Sequence, residues 1–284
     1  METVFSKETK SIKELTNMAL EMRKTVLRMT NRAGAGHVGG SLSEIEILTA
    51  LYFRIMKIDP KNPVWEERDR FILSKGHSTP GYYTALAYRG YFPLDVLDTF
   101  DECDSKLQAH PDMHKCPGVD YSTGSLGQGV SVALGMAVAA EKQKKHFTIF
   151  VLIGDGEAQE GQVWEALMFA AANKVKNIAF IFDANNVQLA SKNNAGTDAD
   201  ALIRKLAGFD ITSFETNGND LDALVPVLEM AAKTSKAGPV AVVARTIKGK
   251  GISFMEGNFD WHGKAPDKNE LAQALGELEK AGQQ

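Results

Sequence analysis

Cysteine is nearly absent. Cys103 and Cys116 are the only two, and their spacing fits neither a zinc site nor a redox pair. They read as free thiols of a reducing compartment, so a cytoplasmic protein is expected. No apolar stretch approaches the ~18 residues that a membrane-spanning helix requires. The opening METVFSKETKSIKEL has no apolar core of a signal peptide. A cationic excess is missing too: the net charge is −4, and no basic stripe appears that would suit nucleic acid. The one basic cluster, KQKKH (142–146), reads as the solvated end of a helix, where cations also suit the helix dipole. Internal repeats, low-complexity tracts and linkers are absent, so the 284 residues read as one α/β domain. With 44% apolar residues, an ordinary buried core is within reach.

What is present is organised around residues 147–187. FTIFVLI (147–153) ends in Gly154-Asp155-Gly156, a helical pattern with Val163, Trp164, Leu167 and Ala171 on one face follows, and IAFIF (178–182) ends in Asp183-Ala184-Asn185-Asn186. Continuous apolar runs flanking a helix predict parallel strands buried on both faces, and ligands of such sheets lie beyond the carboxyl ends of the strands. The expected architecture is a mostly parallel sheet with helices on both faces, a Rossmann-like α/β module.

Asp155 gives that edge its chemistry. The two glycines let a backbone approach a ligand, and the helix that follows offers free N–H groups to a phosphate. A carboxylate between them would repel a bare phosphate by roughly 4 kcal/mol at about 4 Å and an effective dielectric near 20. A divalent cation between Asp155 and the phosphates removes the conflict, with Asn185 and the main-chain carbonyl of Val187 as neutral oxygens. Taken separately, the two stretches read equally well as a tight turn and an Asn-rich loop. A nucleotide-binding Rossmann fingerprint is the weaker reading, because Asp155 interrupts an incomplete GxGxxG.

The remaining signals follow chain order. An amphipathic helix is predicted over residues 9–30, then a glycine loop carrying His37, then a helix started by a Ser41/Glu44 capping box. RFILS (70–74) is a strand leading into Lys75-Gly76-His77-Ser78 and a helix near Pro80; His77 could donate to a phosphate oxygen there. Residues 91–118 are turn-rich and contain His110 and a surface His114. STGSLGQG (122–129) opens a small-residue helix that suits either close helix packing or a flat ring. A strand over 208–216, a helix over 221–233 and a strand over 239–246 follow. The last strand ends in Lys248-Gly249-Lys250-Gly251, lysines that suit a diphosphate or solvent equally. Trp261-His262-Gly263 and a polar helix or frayed tail over 266–281 close the chain.

The GDG and NN pair resembles the thiamine diphosphate signature. With GHVGGSLS, SKGHS, HPD, TGSLGQG, GDGEAQEG, DANNV and WHG in order, the chain resembles transketolase over nearly its whole length, and specifically that family's amino-terminal, diphosphate-binding half. The resemblance implies one chain of a split transketolase. Such a chain would hold thiamine diphosphate with Mg²⁺ (or Ca²⁺ or Mn²⁺) and transfer a two-carbon ketol unit between sugar phosphates. It would act only beside a carboxy-terminal, pyrimidine-binding subunit, with two copies of each. It implies Asp155, Asn185 and Val187 on the metal. Around the cofactor it implies His77, Gly124, Ser125, Leu126, Gly154, Gly156, Glu157, Lys248 and His262. His37, His110 and His262 would contact the ketose and assist proton transfers. Glu160 would link paired active sites, although a carboxylate in the first turn of a helix explains it as well. Ser125 and Ala109 depart from the proline and glycine common in the family, which leaves the sugar preference open. Two rivals remain: the matching subunit of a 2-oxo acid dehydrogenase or deoxyxylulose-phosphate synthase, and a non-catalytic metal–diphosphate-binding regulatory subunit. The set His37, His77, His110 and His262 suits a polyhydroxy ketose better than an oxo acid.

Overall fold

The computed structural model describes residues 10–187 and 196–282. Helix α1 (Ile12–Ala33) starts at a complete capping box, with Ser11 and Glu14 satisfying each other's backbone N–H, and stops where Gly34 turns left-handed at φ 65. Its bounds lie about three residues beyond those the periodicity predicts. Two short helices follow, α2 (Val38–Ser43) and α3 (Ile45–Ala50). Strand β1 (Arg70–Leu73) leads into α4 (Thr79–Arg89), which carries Pro80 in its first turn, where no N–H is needed.

The rest alternates: α5 (Gln128–Lys142), β2 (Ile149–Gly154), α6 (Gly161–Ala172), β3 (Ile178–Ala184), α7 (Ala199–Gly208), β4 (Thr212–Asn217), α8 (Leu221–Thr234), β5 (Val240–Arg245) and α9 (Lys268–Ala281). The five strands form one sheet in the order β1-β2-β3-β5-β4, and every pairing is parallel. This is the expected α/β architecture, with helices on both faces.

Strand side chains alternate between two apolar layers. Phe71, Leu73, Phe150, Leu152, Ile181 and Val242 join the core beneath α1, α3, α4 and α8. Ile72, Val151, Ile153, Phe180, Phe182 and Val243 join the other, beneath α5, α6 and α7. Both faces are therefore covered, which is why β2 and β3 read as unbroken apolar runs.

Two expectations are corrected. The Ser41/Glu44 capping box does not form: Ser41 lies inside α2, its hydroxyl donating to the carbonyls of His37 (2.9 Å) and Ser78 (3.3 Å). Glu44 is instead drawn inward to Lys75, a stronger partner than a helix-end N–H. The strand expected over 208–216 begins at Thr212, because Gly208 closes α7, a helix capped by Asp198 that the sequence pattern does not announce. The tail is helical over α9, with its own capping box from Asp267 and Glu270. Among the described residues, no helix is long and apolar enough to cross a membrane.

Candidate active site

The carboxyl ends of β1, β2, β3 and β5 open onto a cavity of about 600 Å³. β1 delivers Lys75 and His77, β2 the Gly154-Asp155-Gly156 turn, β3 Asn185 and Val187, and β5 Lys248. The glycine loops bring His37 and Gly40 from one side, His110, Gly124 and Leu126 from another, and His262 from beyond β5. Close approach depends on missing side chains. A Cβ on Gly39 would stand 2.7 Å from the Trp261 carbonyl oxygen, and one on Gly76 would stand 2.7 Å from the Gly124 nitrogen. Gly39 thus lets the segment carrying His262 close over α2.

Asp155 is 2% exposed. Its Oδ1 accepts from Gly156 N (2.8 Å) and its Oδ2 from Asn186 N (2.5 Å). Burial, and then the charge of Asp183, push its pKa up to about 6. Such a carboxylate is short of positive charge. Asn186 adopts the left-handed conformation at φ 60, turning the chain so that Asn185 and Val187 both face the cavity. One carboxylate, one amide oxygen and one main-chain carbonyl form a hard oxygen set that leaves further positions to phosphate oxygens and water. These residues therefore fit Mg²⁺ or a similar divalent ion on a diphosphate. Among the described residues, no group of three or more His, Cys, Asp or Glu forms a rival metal cluster.

Lys248 is buried, and its Nζ donates to the Val187 carbonyl (3.0 Å) and to His262 Nδ1 (2.7 Å). Burial, then Lys75, lower its pKa to about 8. Of the two readings of this lysine turn, the structure points Lys248 into the cavity. Lys250 turns away to a half-exposed pair with Glu256.

Three imidazoles cluster, with His37 edge-on to His262 and the other two pairs tilted. Ring centroids lie 4.9 Å apart for His37 and His77, 5.2 Å for His77 and His262, and 5.4 Å for His37 and His262. Burial first, then neighbouring positive groups, depress His77 to about 2 and His262 to about 3; His37 is lowered for the same main reason. All three are neutral near pH 7, each with one donor and one acceptor nitrogen. With Lys248 donating to Nδ1, the His262 proton resides on Nε2.

Glu157 also lines the cavity, but its carboxylate is committed to Ser74 Oγ (2.6 Å), Gly127 N (2.7 Å) and Gly154 N (3.0 Å). It ties the 122–129 loop to the GDG turn. Two expected site residues stand outside the cavity lining: Ser125, exposed at the loop tip, and Glu160, exposed at the start of α6. His114 is exposed, as expected.

Beneath the site lies a buried ionic cluster that the motifs do not reveal. Lys75 Nζ pairs with Asp183 Oδ2 (2.5 Å) and Glu44 Oε2 (2.7 Å). Ser43 Oγ (2.6 Å) and Thr246 Oγ1 also donate to Asp183, and Ser78 Oγ (2.9 Å) donates to Glu44. The one signal in the sequence is Asp183 itself, a charge closing an apolar run and needing a buried partner.

A family model described as transketolase, thiamine diphosphate binding domain, matches residues 15–280. The 6-deoxy-6-sulfo-D-fructose transketolase subunit SqwG of Clostridium sp. (strain MSTE9) is 43% identical, over 95% of this chain and 98% of its own length. An apulose-4-phosphate transketolase subunit from Actinobacillus succinogenes is 46% identical, over 90% of this chain and 92% of its own. Rat transketolase is 33% identical over 98% of this chain but only 44% of its own length. The crystal structure of transketolase from Campylobacter jejuni superposes with a TM-score of 0.89 at 30% identity, covering 95% of this chain and 43% of that one. The chain thus spans less than half of those longer transketolases and nearly all of the subunit-type relatives. By these matches, and by the oxygen set and histidines assembled at one sheet edge, the chain belongs to the transketolase family, as its thiamine diphosphate-binding domain.

Proposed function

We propose that this chain is the amino-terminal subunit of a two-chain transketolase. It would hold the diphosphate end of thiamine diphosphate through a divalent metal, and would become active when a pyrimidine-binding subunit completes the site, with two copies of each. The observation that carries the reading is the convergence of Asp155, Asn185 and the Val187 carbonyl beside three neutral histidines at the carboxyl edge of the sheet.

When bound, thiamine diphosphate would supply the nucleophilic carbon and the electron sink for a two-carbon fragment. The chain's own residues hold and orient. Asp155 and Asn185, with the Val187 carbonyl, hold the metal; His77 and the Gly156 backbone face the diphosphate. Lys248 orients His262 by donating to Nδ1, so that Nε2–H points a proton at a substrate hydroxyl. His37, a neutral ring, and His110, exposed at the cavity rim, exchange protons with the hydroxyls of a ketose donor. Glu160, exposed at the start of α6, is free to meet a second active site across a subunit boundary.

The relatives' names suggest which donors to try. The test is ketol transfer to an aldose phosphate from xylulose 5-phosphate, 6-deoxy-6-sulfofructose and apulose 4-phosphate, with Mg²⁺ and thiamine diphosphate, by the chain alone and mixed with its companion. Activity is expected only in the mixture and lost on His262→Ala. Separately, Asp155→Asn is expected to abolish metal-dependent cofactor binding by calorimetry. Turnover by the rigorously purified single chain, or undiminished binding by Asp155→Asn, contradicts the proposal.

A further inference from the structure

Two carboxylates stand at adjacent strand ends, Asp155 after β2 and Asp183 in β3, opposite Gly154 in the register. Two carboxylates together would make a strong site for a bare divalent cation. Their surroundings differ. Among the described residues, Asp155 accepts hydrogen bonds from peptide N–H groups alone, those of Gly156 and Asn186, with Lys248 acting on it only through its charge, and it keeps lone pairs for a cation. Asp183 is fully buried, and side-chain donors occupy both of its oxygens: Lys75 Nζ at 2.5 Å, Ser43 Oγ at 2.6 Å, Asn185 Nδ2 at 3.3 Å and Thr246 Oγ1. Lys75 is the only cation among them. It is 3% exposed, reaches from the cavity wall to Asp183, and is steadied from behind by Glu44 and the Gly40 carbonyl.

We infer that Lys75 is a positioning residue that withdraws Asp183 from the metal site, leaving Asp155 as the single charged ligand. The metal is then held only together with a diphosphate. Asp183, so restrained, takes the Asn185 amide N–H (3.3 Å), so that amide's oxygen is turned away from Asp183 and accepts only from the Val187 N–H (3.1 Å) among the described residues, at the cavity lining. One carboxylate plus two neutral oxygens binds a divalent ion weakly; the phosphate oxygens supply the missing charge. Metal and cofactor thereby arrive as a unit, and the site does not fill with a cation that would await a diphosphate. This inference rests on the reading of Asp155, Asn185 and Val187 as the metal site.

The test is Mn²⁺ binding by the full chain, read from the free-ion signal in electron paramagnetic resonance, with and without thiamine diphosphate. The wild type is expected to hold Mn²⁺ only when the cofactor is present. Lys75→Met is expected to bind cofactor-free Mn²⁺ at least about tenfold more tightly, because Asp183 is left uncompensated near the site. Lys75→Met combined with Asp183→Asn removes both charges and should return to wild-type behaviour, as should Lys75→Arg alone. A folded Lys75→Met chain with unchanged cofactor-free affinity overturns the inference, as does a double variant that keeps the gain. Should Lys75→Met fail to fold, the wild type decides: equal Mn²⁺ affinity with and without cofactor refutes it. No Mn²⁺ binding under either condition refutes the metal site itself, and is distinguishable from these results.

Discussion

Glu44→Gln should flatten the pH dependence of stability. Glu44 is wholly buried; Lys75 and Ser78 share its Oε2, while Oε1 has no hydrogen-bond partner among the described residues. Burial pushes its pKa up from 4.5 to about 7; Lys75 opposes this, the nearby Asp183 adds to it, and Ser78 pulls it back slightly. Below the ordinary value, folded and unfolded chains both carry the proton, and the group costs nothing. Between 4.5 and about 7 the folded chain keeps a proton that the unfolded chain releases. Stability therefore falls as the pH rises through this window, and above about 7 the fold must bury a carboxylate. The gap corresponds to about 3 kcal/mol. Glutamine cannot ionise, and it retains an oxygen for Lys75 and Ser78. Urea unfolding of both chains from pH 5 to 8.5 measures the effect, because every other titrating group cancels in the difference. The stability of the wild type relative to Glu44→Gln should drop by about 2.5 kcal/mol over that range, since at pH 5 part of the gap is already crossed. Parallel curves would show that Glu44 is ionised throughout, and that the Lys75 pair overcomes its burial.

Gly39→Ala should displace the segment carrying His262, since the added carbon would stand 2.7 Å from the Trp261 carbonyl oxygen and 3.1 Å from Lys248 Cγ. The expected cost is about 1–3 kcal/mol in unfolding, with weakened cofactor binding; an unchanged urea midpoint would mean the backbone yields freely. His77 and His262 should stay neutral as the pH falls to 5, read from ¹⁵N shifts of the imidazoles, since both are depressed chiefly by burial. The unfolded chain takes up these protons first, so the stability that the neutral rings contribute is full above about 6.5 and declines below it. Protonation of either ring above pH 5 in the folded chain would contradict their enclosure.

What the sequence discloses, and what it hides, divides along the range of the interactions. The buried strands are legible because both faces of β2 and β3 are covered, so burial writes itself as unbroken apolar runs, one ending in a glycine turn and the other in an Asn pair. β4 lies at the sheet edge and reads TSFETN, polar everywhere but at Phe214, so the pattern places its start too early and conceals α7 before it. Local chemistry also misleads where a tertiary partner competes. Ser41 and Glu44 have the right spacing for a cap, yet Glu44 turns to Ser78, 34 residues away, and to Lys75. Asp183 finds Lys75 across 108 residues, a pairing no window of sequence contains. The lysine turn shows the limit most directly. Lys248 and Lys250 sit two residues apart in the same KGKG and share the glycine between them. Gly249, at φ 74, reverses the backbone between them, sending Lys248 into the cavity against Val187 and His262 and leaving Lys250 to Glu256. Residue type and spacing set what each lysine can do. Only the direction of the turn, fixed by Met255 packed where a Gly249 side chain would otherwise be, decides which one does it.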